Sequence, residues 1–160
     1  MAALHMLCGK IAAGKSTLAA QLARQPNTVL IGEDLWMATL YPGEILTLED
    51  YTKYSARLCA AMAPHIVQLL QGGISVVLDF QANTPKRRAW MRGIIDRSGA
   101  AHKLHHLDMS DEVCRARLHE RNASGAHQYT VTDAEFEQFT RYFVAPTPDE
   151  GFDVVVHRIT

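Results

Sequence analysis

The chain has no C-x-x-C pair. Its three cysteines, Cys8, Cys59 and Cys114, are far apart and odd in number, which excludes a zinc ribbon or a dithiol redox motif and leaves them as small buried hydrophobes. It also lacks an apolar run long enough for a membrane span, and its N-terminal segment lacks the basic start and long apolar core of a secretion signal. A cytosolic protein with no membrane partner is therefore expected. Charge of one sign is missing too. Sixteen Lys and Arg against seventeen Asp and Glu give no electrostatic track for duplex nucleic acid or an acidic membrane, although a short nucleic-acid end could still bind locally. No repeat or low-complexity segment occurs. The eight histidines show no ligand spacing such as H-x-x-x-H, and His105 and His106, being adjacent, point to opposite faces of a strand. What the chain has in quantity is apolar content, 48% of 160 residues. That is enough for one substantial core and leaves little room for a second, so residues 1–160 are read as one domain.

Against this background Gly9-Lys10-Ile11-Ala12-Ala13-Gly14-Lys15-Ser16 fits the phosphate-binding loop G-x-x-x-x-G-K-[ST] at every fixed position, with Thr17 following. Gly9 and Gly14 permit backbone geometry that a Cβ would obstruct, and the amides of Lys10, Ala12 and Ala13 can then face phosphate oxygens. Lys15 is placed for the β and γ phosphates of ATP or GTP. Ser16 is placed to ligate Mg²⁺, and the helix opening at that point adds the positive end of its dipole. The apolar run Leu4 to Cys8 before the loop and the helical pattern of Thr17 to Arg24 after it supply the strand, loop and helix the motif requires.

Farther along, Thr28 to Ile31 reads as a second strand ending at Gly32-Glu33-Asp34. Thr47 and Asp50 suit a helix cap, and Tyr51, Tyr54, Leu58, Met62, Ile66 and Leu69 recur at helical spacing up to Gly72-Gly73, across a possible kink at Pro64. Ile74 to Leu78 is a near-continuous apolar strand of the kind buried in a parallel sheet. Thr84-Pro85 opens a helix to about Ser98-Gly99. Lys103 to Met109 is a fourth strand, and Ser110 caps a helix to about Arg121. Asn122 to Val131 is a polar connector, Thr132 to Glu135 a capping box, and Phe152 to Ile159 the last strand. Five strands alternating with helices predict an α/β fold of the P-loop NTPase kind: a five-stranded parallel sheet with helices on both faces, and a lid connector at about 121–132. Ligands in such folds bind at the carboxyl ends of the strands.

Phosphoryl transfer to a hydroxyl needs a phosphate cradle, Mg²⁺, a carboxylate near the attacking oxygen and cations on the migrating group. Asp34 is the candidate base, because the end of the second strand is expected beside the phosphate loop. Asp79 has the look of the aspartate that supports Mg²⁺ with Ser16, and it could equally hold the acceptor; Asp108 is a second contender for the metal. Arg117 and Arg121 share a helix face at the connector, where a closing lid would exclude water. Arg87 and Arg88 follow Asp79, and one of them could reach the acceptor. Leu35, Trp36, Met37, Leu40 and Tyr41 suggest an acceptor pocket with apolar walls.

Several segments together are similar to small P-loop kinases, including the kinase module of polynucleotide 5′-hydroxyl kinases and, more distantly, zeta toxins and chloramphenicol phosphotransferases. They are Cys8 to Thr17, Ile31 to Asp34, Val77 to Asn83, Arg117 to Asn122, and Phe143-Val144-Ala145-Pro146-Thr147-Pro148-Asp149-Glu150-Gly151-Phe152. The resemblance implies that Lys15 and Ser16 bind phosphate and metal, that Asp34 is the general base, that Asp79 helps place the acceptor, and that Arg121 belongs to the lid. Two positions depart from the polynucleotide kinases. Met37 stands where some have an arginine for a substrate phosphate, and Gly125 replaces a second lid arginine. The expectation is an ATP- and Mg²⁺-dependent kinase for a hydroxyl on a small molecule, with Lys15, Asp34 and Arg121 as catalytic residues and Asp34, Met37, Asp79 and Arg87 toward the acceptor. A 5′-hydroxyl kinase ranks second. A nucleotide-gated binding module is the alternative of another class.

Overall fold

The computed structural model describes residues 1–125 and 131–158; half of the expected connector from Asn122 to Val131, and the end of the last expected strand, lie outside them. Five strands, β1 (Ala3–Gly9), β2 (Thr28–Gly32), β3 (Ser75–Gln81), β4 (Ala101–Leu107) and β5 (Val154–His157), form one parallel sheet in the order β2-β3-β1-β4-β5. Period-two alternation divides their side chains between two cores. Leu4, Met6, Cys8, Val76, Leu78 and Phe80 face one side; Leu7, Val77 and Leu107 face the other.

Each core is closed by helices. On the first side α3 (Leu48–Gln71) and α4 (Pro85–Ser98) bring Leu58, Met62, Ile66, Met91 and Ile94, and α2 (Glu33–Leu40) adds Met37. On the second side α1 (Lys15–Leu22), α5 (Asp111–Ser124) and α6 (Asp133–Tyr142) bring Ala19, Cys114, Leu118 and Phe136. Four of the helices start on side-chain caps visible in the sequence. Thr47, Thr84, Ser110 and Thr132 accept hydrogen bonds from the backbone N–H of Asp50, Arg87, Val113 and Glu135, satisfying amides that the helices leave open. α3 runs unbroken through Pro64. No helix of the described residues is long and apolar enough to cross a membrane.

The strand order corrects one expectation. β3 lies between β1 and β2, so the end of β2 is not the immediate neighbour of the phosphate loop. Val76, Val77 and Leu78 are fully buried, whereas Val29 and Leu30 of β2 are 39% and 43% exposed. The uniformly apolar strand takes the interior position and β2 becomes an edge. β3 also continues past Asp79 to Gln81, and α5 continues past Arg121 to Ser124, where Gly125 ends it at a positive φ of 65°.

Candidate active site

The phosphate loop is shaped by its two motif glycines for different reasons. A Cβ on Gly9 would sit 3.1 Å from the Leu107 carbonyl oxygen and 3.3 Å from the Ala13 Cβ, whereas Gly14 adopts φ 105° at the start of α1. Ala12 also has a positive φ, 64°, and the Ala13 N–H closes the turn on the Lys10 carbonyl at 3.1 Å. Two side chains from elsewhere hold this backbone. The Gly9 N–H donates to Asn83 Oδ1 at 2.9 Å, and Arg117 Nη1 donates to the Ala13 carbonyl at 3.1 Å.

Inside the loop the Lys15 ammonium donates to the Gly9 and Lys10 carbonyls at 2.7 and 3.1 Å. Burial lowers its pKa, and the charge of Asp79 opposes the shift. Ser16 Oγ donates to Asp79 Oδ2 at 2.9 Å. A hydroxyl and a carboxylate at this separation are hard oxygen donors of the kind Mg²⁺ takes, and that ion draws its other ligands from water and phosphate. Asp108, the other contender, is bonded to Arg158 Nε at 3.0 Å instead.

A cleft of about 1170 Å³ opens over the loop. Ala12, Ala13, Gly14, Lys15, Ser16, Thr17, Asp34, Met37, Asp79, Arg117 and Arg121 all line it, so most of the sequence-selected residues converge on one cavity. Burial lowers the pKa of Arg121 while the charge of Asp34 opposes the shift, which places these two groups within electrostatic reach. The Arg121 Nε is buried without a hydrogen-bond partner among the described residues.

Other selected residues lie elsewhere. Gly9 and Lys10 do not line the cleft, and Lys10 is ion-paired with Asp111. Arg87 does not line the cleft: its Nη1 is 3.2 Å from Glu33 Oε2 and its Nη2 donates to Ser55 Oγ at 2.7 Å. Arg88 is buried and serves the scaffold, bonded to Glu150 at 3.0 Å and to the carbonyls of Ala82 and Val144. Leu35, Trp36 and Leu40 are exposed, and of the five apolar residues on and after α2 only Met37 lines the cleft.

The structure adds side chains to which the sequence assigned no role at the site. Glu33, only 3% exposed, receives Ser55 Oγ at 2.6 Å as well as Arg87, and this pin fixes the first turn of α2, where Asp34 is the next residue. Tyr51, Thr47, Thr52, Gln81, Gln138, Phe139 and Tyr142 also line the cleft. Asn83 lies in a segment whose likeness to the kinases was visible, yet its hydrogen bond to Gly9 spans 74 residues and leaves no local trace.

The AAA domain family model matches residues 4–146. The chain belongs to this family. Solved structures share the AAA-domain chain's fold at low identity. A candidate kinase from Chloroflexus aurantiacus superposes with a TM-score of 0.76 at 20% identity, over 98% of this chain and 85% of that one. Kti12 from Chaetomium thermophilum, crystallised with ADP-AlF3, gives 0.71 at 16% over 98% and 88%. A sugar kinase from Janibacter sp. gives 0.67 at 19% over 99% and 86%. The sheet, its helices and the loop are thus those of a P-loop NTPase fold. A search of curated proteins finds no significant match.

Proposed function

We propose that this AAA-domain chain is an ATP-dependent, Mg²⁺-requiring kinase that transfers the γ-phosphoryl group to a hydroxyl of a small molecule. The observation that carries the reading is the convergence of Lys15, Ser16, Asp34, Asp79 and Arg121 on one cleft. The loop amides and Lys15 bind the phosphates, with Lys15 moving from the Gly9 and Lys10 carbonyls to phosphate oxygens. Ser16 and Asp79 would hold Mg²⁺, which would supply charge neutralisation at the phosphates. Asp34 accepts the proton of the attacking hydroxyl, and Arg121, which lines the cleft, stabilises charge on the migrating phosphoryl group. The solved neighbours support this reading, one being a sugar kinase and another holding ADP-AlF3.

The test is transfer of labelled γ-phosphate from Mg²⁺-ATP to a panel of hydroxyl compounds, with Asp34→Asn alongside. Loss of a general base is expected to lower transfer by about 10²–10⁴-fold while ADP affinity stays unchanged. Equal transfer by the variant would remove Asp34 from the chemistry.

A further inference from the structure

The two walls of the cleft differ in charge. Among the described residues, each Lys or Arg lining it belongs to the phosphate-loop side: Lys15 in the loop, Arg117 on the Ala13 carbonyl and Arg121 one turn farther along α5. The facing wall, from α2 through the start of α3 to the end of β3, offers Met37, Leu46, Thr52, Tyr51, Gln81 and Thr84, and no Lys or Arg. Arg87 is bonded to Glu33 of that wall, and its guanidinium is engaged by Glu33 and Ser55. Residues 126–130 contain no Lys or Arg in the sequence.

Backbone amides do not replace the missing cations. The N-terminus of α3 lies at this wall, yet Glu49 and Asp50 occupy its first turn and Thr47 Oγ1 takes the Asp50 N–H. Asp50 Oδ2 also accepts the Leu46 N–H at 3.2 Å. The first turn of α2 likewise carries Glu33 and Asp34. An anionic group placed there would meet carboxylates rather than a positive dipole end. Burial, reinforced by Glu33, raises the pKa of the Tyr51 phenol, so it stays a neutral hydrogen-bonding group at ordinary pH. The volume, about 1170 Å³, exceeds the roughly 300–1,000 Å³ of a site for one drug-sized ligand. It leaves room for a second small molecule beside a nucleotide.

We infer that the acceptor wall takes an unphosphorylated hydroxyl compound, neutral or cationic, that lays an apolar face on Leu46 and Leu48, and that it rejects phosphate- and phosphodiester-bearing acceptors. The inference rests on the kinase reading and narrows it. Arg and Lys are the side chains that hold phosphate, and the three that line the cleft among the described residues stand on the donor side.

The experiment uses the full chain with Mg²⁺-ATP and matched pairs of acceptors: hexoses and hexose phosphates, nucleosides and nucleoside 5′-monophosphates, amino sugars and their phosphates. A 5′-hydroxyl oligonucleotide is a further arm. Label transfer gives kcat/KM for each member, and ADP binding is measured separately. The expected result is about tenfold or greater preference for the unphosphorylated member of the pair that is used. Thr52→Lys, which adds a cation on an exposed turn of the acceptor wall, should reduce that preference about fivefold through KM with ADP affinity unchanged. Preference for the phosphorylated member, or efficient labelling of the oligonucleotide, would overturn the inference and leave the kinase reading standing. Bound ADP with no acceptor labelled in any arm would overturn it as well. Absence of ADP binding would instead sink the proposed function, and the acceptor assignment with it.

Discussion

Single residues in the phosphate loop are constrained in separable ways, and Gly9 and Gly14 make the distinction measurable. Gly9 is held by space: a methyl there presses on the Leu107 carbonyl at 3.1 Å and on the Leu107 Cβ at 3.2 Å, and both belong to a packed strand that has little room to move. Gly14 is held by conformation, since its φ of 105° is strained for any L side chain while the nearest atom to an added Cβ is 3.5 Å away. Gly9→Ala is expected to cost about 1–3 kcal/mol by overpacking, and Gly14→Ala about 1–2 kcal/mol by backbone strain. The two differ in what ADP does. The Gly9 substitution pushes the loop off Asn83 and should weaken ADP by about tenfold, because the amides lose their aim. Urea denaturation with and without ADP reads both quantities, and a Gly9→Ala protein with native ADP affinity would mean the loop is not positioned by that contact. Arg87 carries a related lesson. Its side chain is committed to Glu33 and Ser55, 54 and 32 residues away, so a cation that looks available in sequence is already neutralised in the fold.

Among the secondary-structure elements, the Pro148–Glu150 turn and the segment before it act as a strap that reaches the phosphate loop through intermediaries. Arg88 is 1% exposed and bonds Glu150 on one side and the Ala82 and Val144 carbonyls on the other. The Val144 N–H in turn donates to the Asn83 carbonyl at 2.8 Å, and the Asn83 side chain holds Gly9. Glu150→Ala leaves the Arg88 charge buried beside two carbonyls and no carboxylate, a loss expected to cost about 2–3 kcal/mol and to weaken ADP by a fewfold through Asn83. Arg88→Met with Glu150→Leu should recover much of the stability, since an apolar pair can replace a buried ion pair. Recovery is read as the urea midpoint of the double variant, and a double variant no more stable than Glu150→Ala would count against the clamp. The elements themselves were largely legible in the sequence, for a local reason. Thr47, Thr84-Pro85, Ser110 and the Thr132–Glu135 box announce helices within four residues of where they start, and the strands are apolar runs. α2 was not legible. It starts directly from β2 with Gly32 as N-cap and no side-chain cap, and with only Glu33 and Met37 buried it shows no apolar stripe. The part of the site that escaped the sequence reading has the same origin: Glu33–Arg87, Ser55–Glu33 and Asn83–Gly9 join residues 22 to 74 apart, and no local pattern encodes such distances.

Across the whole molecule, the second face of the sheet carries a histidine row whose protonation couples folding to pH. His5 Nδ1 lies 3.1 Å from His105 Nε2, and His105 Nδ1 lies 3.0 Å from His157 Nε2, so the row crosses β1, β4 and β5. The His105 ring stacks on His5 at a centroid distance of 5.4 Å and is tilted against His157 at 5.3 Å. Burial of His105, reinforced by His5, His157 and Lys103, lowers its pKa to about 4. An unfolded histidine titrates near 6.5. The unfolded chain therefore binds the extra proton first on acidification. The stabilising contribution of neutral His105 is complete above pH 6.5, is lost progressively between pH 6.5 and about 4, and changes no further below that. At about 1.4 kcal/mol for each pH unit between the two values, about 3 kcal/mol of folding free energy is at stake. In His105→Leu the ionisable group is gone and the strand keeps an apolar side chain of comparable reach. Urea unfolding of both proteins from pH 8 to 4 should show the native protein losing about 3 kcal/mol more than the variant over that interval, with their pH profiles parallel above pH 7. Parallel profiles throughout would mean that His105 gains its proton in the folded sheet as readily as in the unfolded chain, and that the row imposes no cost on a charge.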